Sequence, residues 1–120
     1  MKSDQHRPLV SHHFPYIPIQ IGVRHREESV EALLDTGFDG DVILPEGFIG
    51  NGDPADDHLP WRMANESIIH APAYWGWLKI GKITFSEVLI SVLGNKTIIG
   101  RQIIKRFKIT IDHGKRVIVE

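Results

Sequence analysis

Residues 16–23 read Y-I-P-I-Q-I-G-V, with Ile17, Ile19 and Ile21 on one parity and Tyr16, Pro18 and Gln20 on the other. A period of two predicts a half-buried strand, and Pro18, which has no amide proton, predicts a sheet edge or a bulge there. Residues 25–28 (H-R-E-E) form a charged turn in this reading. Residues 29–34 (S-V-E-A-L-L) follow as a strand, with a short helix the alternative on propensity alone. Residues 42–44 (V-I-L) predict a buried strand stopped by Pro45, and the stretch 46–60, broken by three glycines and two prolines, predicts a loop. W-R-M-A-N-E-S-I-I-H (61–70) looks like a hairpin whose tip offers Asn65 for a positive φ. Strands are expected at 74–80 and 83–92, turning at Gly81-Lys82, and again at 97–100 after a turn at Gly94-Asn95. Ile103, Ile104 and Phe107 have the spacing of a short amphipathic helix over 101–107, and strands at 107–111 and 116–119 end the chain. The fold class is therefore mostly β, a small closed barrel or sandwich with one short late helix.

With 120 residues the chain fits one compact domain. Residues 15–120 carry the periodic pattern. Residues 1–14 form an N-terminal arm, either an ordered dimer strand or a disordered tail, with one brief apolar step at Leu9-Val10. A hydrophobic content of 42% with 24% charged residues is the balance of a folded domain rather than a disordered chain. The net charge of -1 gives no electrostatic reason for a nucleic-acid or acidic-membrane partner. The lack of cysteine excludes disulfides, thiol catalysis and thiolate zinc sites, and it suits a reducing, cytoplasmic setting. No apolar run is long enough for a membrane span or a secretory leader.

Two segments carry candidate chemistry. Residues 32–46 read A-L-L-D-T-G-F-D-G-D-V-I-L-P-E, an apolar pair before Asp35-Thr36-Gly37 and then V-I-L-P. Some fifty residues on, Ile98-Ile99-Gly100-Arg101 precedes the helical stretch and the strand that carries Asp112. Together, in this order, they resemble the active-site and supporting segments of the retropepsin-like aspartic peptidases. Within that group, D-T-G-F resembles a prokaryotic branch. The resemblance spans most of residues 16–119 and implies a two-fold homodimer acting on a peptide or protein substrate. Each subunit would contribute one Asp35, because the chain has a single Asp-Thr-Gly.

The implied chemistry needs two carboxylates sharing one proton, one activating a water and the other protonating the substrate carbonyl; the nucleophile is water, so no cofactor and no metal are implied. Thr36 and Gly37 would shape the loop, and Gly100 and Arg101 would support it from beneath. Asp39, four residues after Asp35, would contact the substrate backbone and pair with Arg101 near the dimer interface, against the alternative of two unrelated surface charges. The hairpin at 62–69 sits where the family carries its flap, which makes Ala64, Asn65 and Glu66 substrate contacts. The glycine usual at the flap tip is replaced by A-N-E-S. The main alternative is a catalytically silent dimeric module that binds a peptide or protein.

Asp35, Asp39, Gly40 and Glu46 also fit a calcium-loop pattern, missing where Gly37 supplies no ligand. Pro45, Gly47, Gly50 and Gly52 oppose the exiting helix such a loop requires. The seven histidines show no metal-ligand spacing and are read as surface or loop residues. Asp53, Asp56, Asp57 and His58 are read as a solvated acidic loop. Trp75 and Trp77, on one strand face around Gly76, line a peptide cleft, a core or a dimer contact.

Overall fold

The computed structural model describes residues 7–50 and 53–120; the start of the expected N-terminal arm, residues 1–6, lies outside the described residues. In chain order the elements are β1 (Leu9–Ser11), β2 (Tyr16–Val23), β3 (Arg26–Leu34), β4 (Val42–Leu44), β5 (Asp57–Arg62) and β6 (Ile68–Ile80), then β7 (Ile83–Val92), β8 (Ile98–Ile99), α1 (Arg101–Ile104), β9 (Ile109–Asp112) and β10 (Arg116–Val119). Six strands close into a barrel in the order β2-β3-β8-β4-β7-β6, with β6 pairing back to β2 and β5 attached outside along β6. A smaller antiparallel sheet, β1-β10-β9, packs beside it.

The alternation in β2 is realised as a buried row of Ile17, Ile19 and Ile21 against exposed Pro18 and Gln20. Pro18 is paired with Glu31 on one side, and β6 joins the other side of β2 only from Gln20 onward, so the missing amide interrupts no ladder there. The isoleucines meet Val42, Leu44, Leu78, Val88, Ile90 and Ile99 in the barrel interior. Each such side chain, removed from water completely, contributes about 1.5–3 kcal/mol.

Several expected boundaries move. β3 begins at Arg26, because the turn tightens to Arg24-His25 with Arg24 at φ 57. The expected 46–60 loop ends at Asp56, since residues 57–60 already pair with residues 70–73 as the outer edge strand β5, where Pro60 is tolerated. β6 runs unbroken from the hairpin through Pro72. The helix is one turn: the amides of Ile104 and Lys105 reach back four residues, whereas those of Arg106 and Phe107 reach back only three, to Ile103 and Ile104. Phe107 still packs as the amphipathic spacing required, edge-on to Phe85. Leu9, Val10 and Ser11 pair with Val119, Ile118 and Val117 of the same chain.

Candidate active site

Asp35 follows the last residue of β3, where the chain leaves the barrel wall. Its amide donates to the Ile99 carbonyl at 3.0 Å, which fixes the start of the loop to β8. The Phe38 amide then donates to the Asp35 carbonyl at 3.2 Å and closes a tight turn. Inside that turn the Gly37 amide donates to Asp35 Oδ1 at 2.8 Å. A Cβ on residue 37 would lie 3.1 Å from Oδ1, so the glycine is what lets this amide approach the carboxylate. Thr36, at the outside of the turn, is exposed.

The loop rests on the segment that carries Gly100. The Gly100, Arg101 and Gln102 amides donate to the carbonyls of Asp41, Phe38 and Gly40 at 2.9, 2.8 and 3.2 Å. The expected ion pair is present, with Arg101 Nη2 2.8 Å from Asp39 Oδ1, and Gln102 Nε2 reaches the same oxygen at 3.3 Å. Asp41 Oδ2 accepts from the Leu89 amide at 2.9 Å, tying the far end of the loop to β7.

The direct hydrogen bond from Arg101, and then its charge, hold the Asp39 carboxyl below the usual carboxylate range. A carboxylate depressed in the folded state contributes stability that is present above its unfolded value and lost as pH falls through the folded one. Arg101→Gln is therefore expected to lower the melting temperature at pH 6, with the gap to the parent closing below about pH 4. Thermal melts from pH 2.5 to 6 check this, and a constant gap would contradict it.

The hairpin between β5 and β6 stands over the loop. The Glu66 amide donates to the Met63 carbonyl and the Met63 amide to the Ser67 carbonyl, a three-residue loop of Ala64, Asn65 and Glu66 with its third residue left-handed. The positive φ falls on Glu66, at 69°, and not on Asn65 as the sequence suggested. Asn65 instead uses Oδ1 to accept from the Ser67 amide and hydroxyl at 3.0 and 2.6 Å.

Between loop and hairpin lies a cavity of about 650 Å³ lined by Asp35, Gly37, Asp39 and Ala64 together with Arg62, Lys96 and several apolar side chains. That size suits a small organic or peptidyl group. Thr36, Asn65, Glu66 and Arg101 do not line it. Trp75 and Trp77 are elsewhere, in a shallow groove with Arg24 and Arg26. The acidic stretch is partly tied down: Asp56 accepts from both Arg24 terminal nitrogens and from the Trp75 amide, and the Arg24 guanidinium holds its carboxyl below the ordinary range. Among the described residues no three histidine or acidic side chains are grouped as metal ligands, and the next described element after Glu46 is the strand β5.

The contribution of Trp61 was missed in the sequence. Its ring meets Phe38 edge-on at 4.8 Å between centroids, and its Nε1–H donates to the buried Ser91 hydroxyl at 2.9 Å. A Cβ on Gly40 would lie 2.7 Å from the Trp61 ring, so loop and edge strand interlock. The one available signal was a large amphipathic residue just before the expected flap. Trp61→Phe is expected to cost about 1–2 kcal/mol by leaving Ser91 without its donor, read as a lower urea midpoint at unchanged slope.

Closed barrel, Asp-Thr-Gly turn, Gly100 support and overhanging hairpin together define the retropepsin-like aspartic protease fold. Among solved structures the chain is similar to the crystal structure of a retropepsin-like aspartic protease from Rickettsia conorii, with 20% sequence identity over 93% of this chain and 87% of that one and a TM-score of 0.59. No family model and no curated protein matches the sequence.

Proposed function

We propose that the chain is one half of a homodimeric aspartic endopeptidase, in which Asp35 of each copy forms the catalytic dyad. The observation that carries this reading is the Asp35 carboxylate, held by the Gly37 amide and lining a cavity beneath a hairpin. One Asp35 would take a proton from water as the oxygen attacks the scissile carbonyl, while the protonated partner donates to the carbonyl oxygen. Collapse of the tetrahedral adduct breaks the C–N bond, with a proton delivered to the leaving amine. Thr36, exposed on the outside of the turn, would contact the second copy. Asp39 and Ala64 would meet the substrate, with Asn65 and Glu66 reaching it when the hairpin closes.

A mixed peptide library screened from pH 3 to 8, with dimer content measured by sedimentation, tests the proposal. Cleavage that tracks the dimer supports it, and a folded dimer that cleaves nothing overturns it. That second outcome would favour a silent peptide-binding module, a reading supported by the Asn65-Ser67 bonds that brace the hairpin tip.

A further inference from the structure

Two of the charged side chains lining the Asp35 cavity are basic, Arg62 from the end of β5 and Lys96 from the turn between β7 and β8. Both are exposed, and among the described residues neither has a hydrogen bond or an ion pair. Four other arginines differ: Arg24, Arg26, Arg101 and Arg116 each lie on a carboxylate, at 3.2, 2.6, 2.8 and 2.6 Å, while Arg106 lies over the Phe85 ring. The cavity's acidic groups do not balance the two cations, because the Asp39 charge is already met by Arg101 and Asp35 stands alone. Glu46, near the same turn, accepts from the Gly94 amide and does not line the cavity. Phe38, Ile43, Trp61, Leu93 and Ile98 supply an apolar wall alongside these charges.

We infer that the cavity selects an extended peptide in which a large apolar side chain is flanked by an acidic one, with Arg62 and Lys96 receiving the carboxylate. The inference rests on the peptidase reading for the kind of ligand, but not on cleavage. An apolar wall rewards burial of a Leu- or Phe-sized group without regard to its neighbours. Two unpaired cations at the same cavity add a preference for negative charge and raise the encounter rate with acidic segments. Two copies in a dimer would present four such groups along one cleft.

The test uses fluorescence anisotropy with the full-length Asp35→Asn protein and two labelled peptides, sharing a Leu-Phe centre flanked by Glu in one and by Gln in the other. The Glu peptide is expected to bind about fivefold more tightly at low salt. The ratio is expected to fall toward one at 0.5 M salt and in the Arg62→Gln/Lys96→Gln protein. Each single substitution, checked by circular dichroism, should lower the ratio partway. Equal binding of the two peptides, a ratio indifferent to the substitutions, or no binding of either peptide overturns the inference. Incubating the same peptides with the unsubstituted protein separates the two claims. A binding preference without cleavage sinks the peptidase reading alone, whereas cleavage without preference sinks only the selectivity.

Discussion

Asp35→Asn is expected to lower kcat/KM for any cleaved peptide by about 10⁴-fold, the upper end of what a positioned acid–base group contributes, while leaving the fold intact. The size of the effect follows from symmetry: in the proposed dimer one codon change removes both carboxylates, so neither the water-activating base nor the proton donor survives. The preserved fold follows from the geometry. The amide side chain keeps an oxygen that accepts from Gly37, now 2.8 Å from Asp35 Oδ1, and the backbone bond to Ile99 is untouched. Stability should therefore stay within about 0.5 kcal/mol of the parent, as for substitutions that break no buried contact. Activity is measured by chromatography of a cleaved peptide, with melting and sedimentation run alongside. Retained cleavage would remove Asp35 from the chemistry. Lost cleavage with a lost dimer would assign the residue to assembly instead.

What the sequence made legible was local. The alternation of Ile17, Ile19 and Ile21 fixed a strand and its buried face, because side-chain period and pleat are the same quantity. Asp35-Thr36-Gly37 and Gly100-Arg101 located the candidate site, since a tight turn and a close backbone approach both restrict residue type. Pairings between distant segments left no such trace. Residues 57–60 look like loop because of Pro60 and the neighbouring aspartates, yet β6 recruits them as an edge strand. Leu9-Val10 is too short to announce a strand, and it forms one because Ile118 and Val119 lie opposite. The hairpin tip inverted the expectation from propensity: Asn65 is the better left-handed residue, but its side chain is used to bind Ser67, and the strained conformation passes to Glu66. Trp61 escaped notice for the same reason, as its partners Phe38 and Ser91 lie 23 and 30 residues away.

The second large effect is expected at Gly100, where Gly100→Ala should destabilise the protein by about 3 kcal/mol and lower its melting temperature by about 10 °C. Backbone conformation does not require glycine there, because φ is -97° and ψ -179°, ordinary extended values. Conformational entropy in the unfolded chain would even favour alanine by about 0.4–1 kcal/mol. Contact decides the sign. A Cβ on residue 100 would lie 2.2 Å from the Gly40 carbonyl oxygen and 2.9 Å from that of Phe38. Neither oxygen is free to retreat, since they accept from the Gln102 and Arg101 amides, while the Gly100 amide itself donates to the Asp41 carbonyl. Making room for one methyl group means lifting the Asp35 loop off its support and weakening three backbone hydrogen bonds together. Gly50→Ala is the control, because a Cβ there meets nothing within 4 Å and φ is not in the left-handed region; its urea midpoint should barely move. In the peptidase reading, the surviving folded fraction of Gly100→Ala should also show a lower kcat, as the shifted loop carries Asp35 away from its symmetry mate. Parental stability in Gly100→Ala would mean that the loop yields without cost, and the close packing beneath Asp35 would then be no restraint on its position.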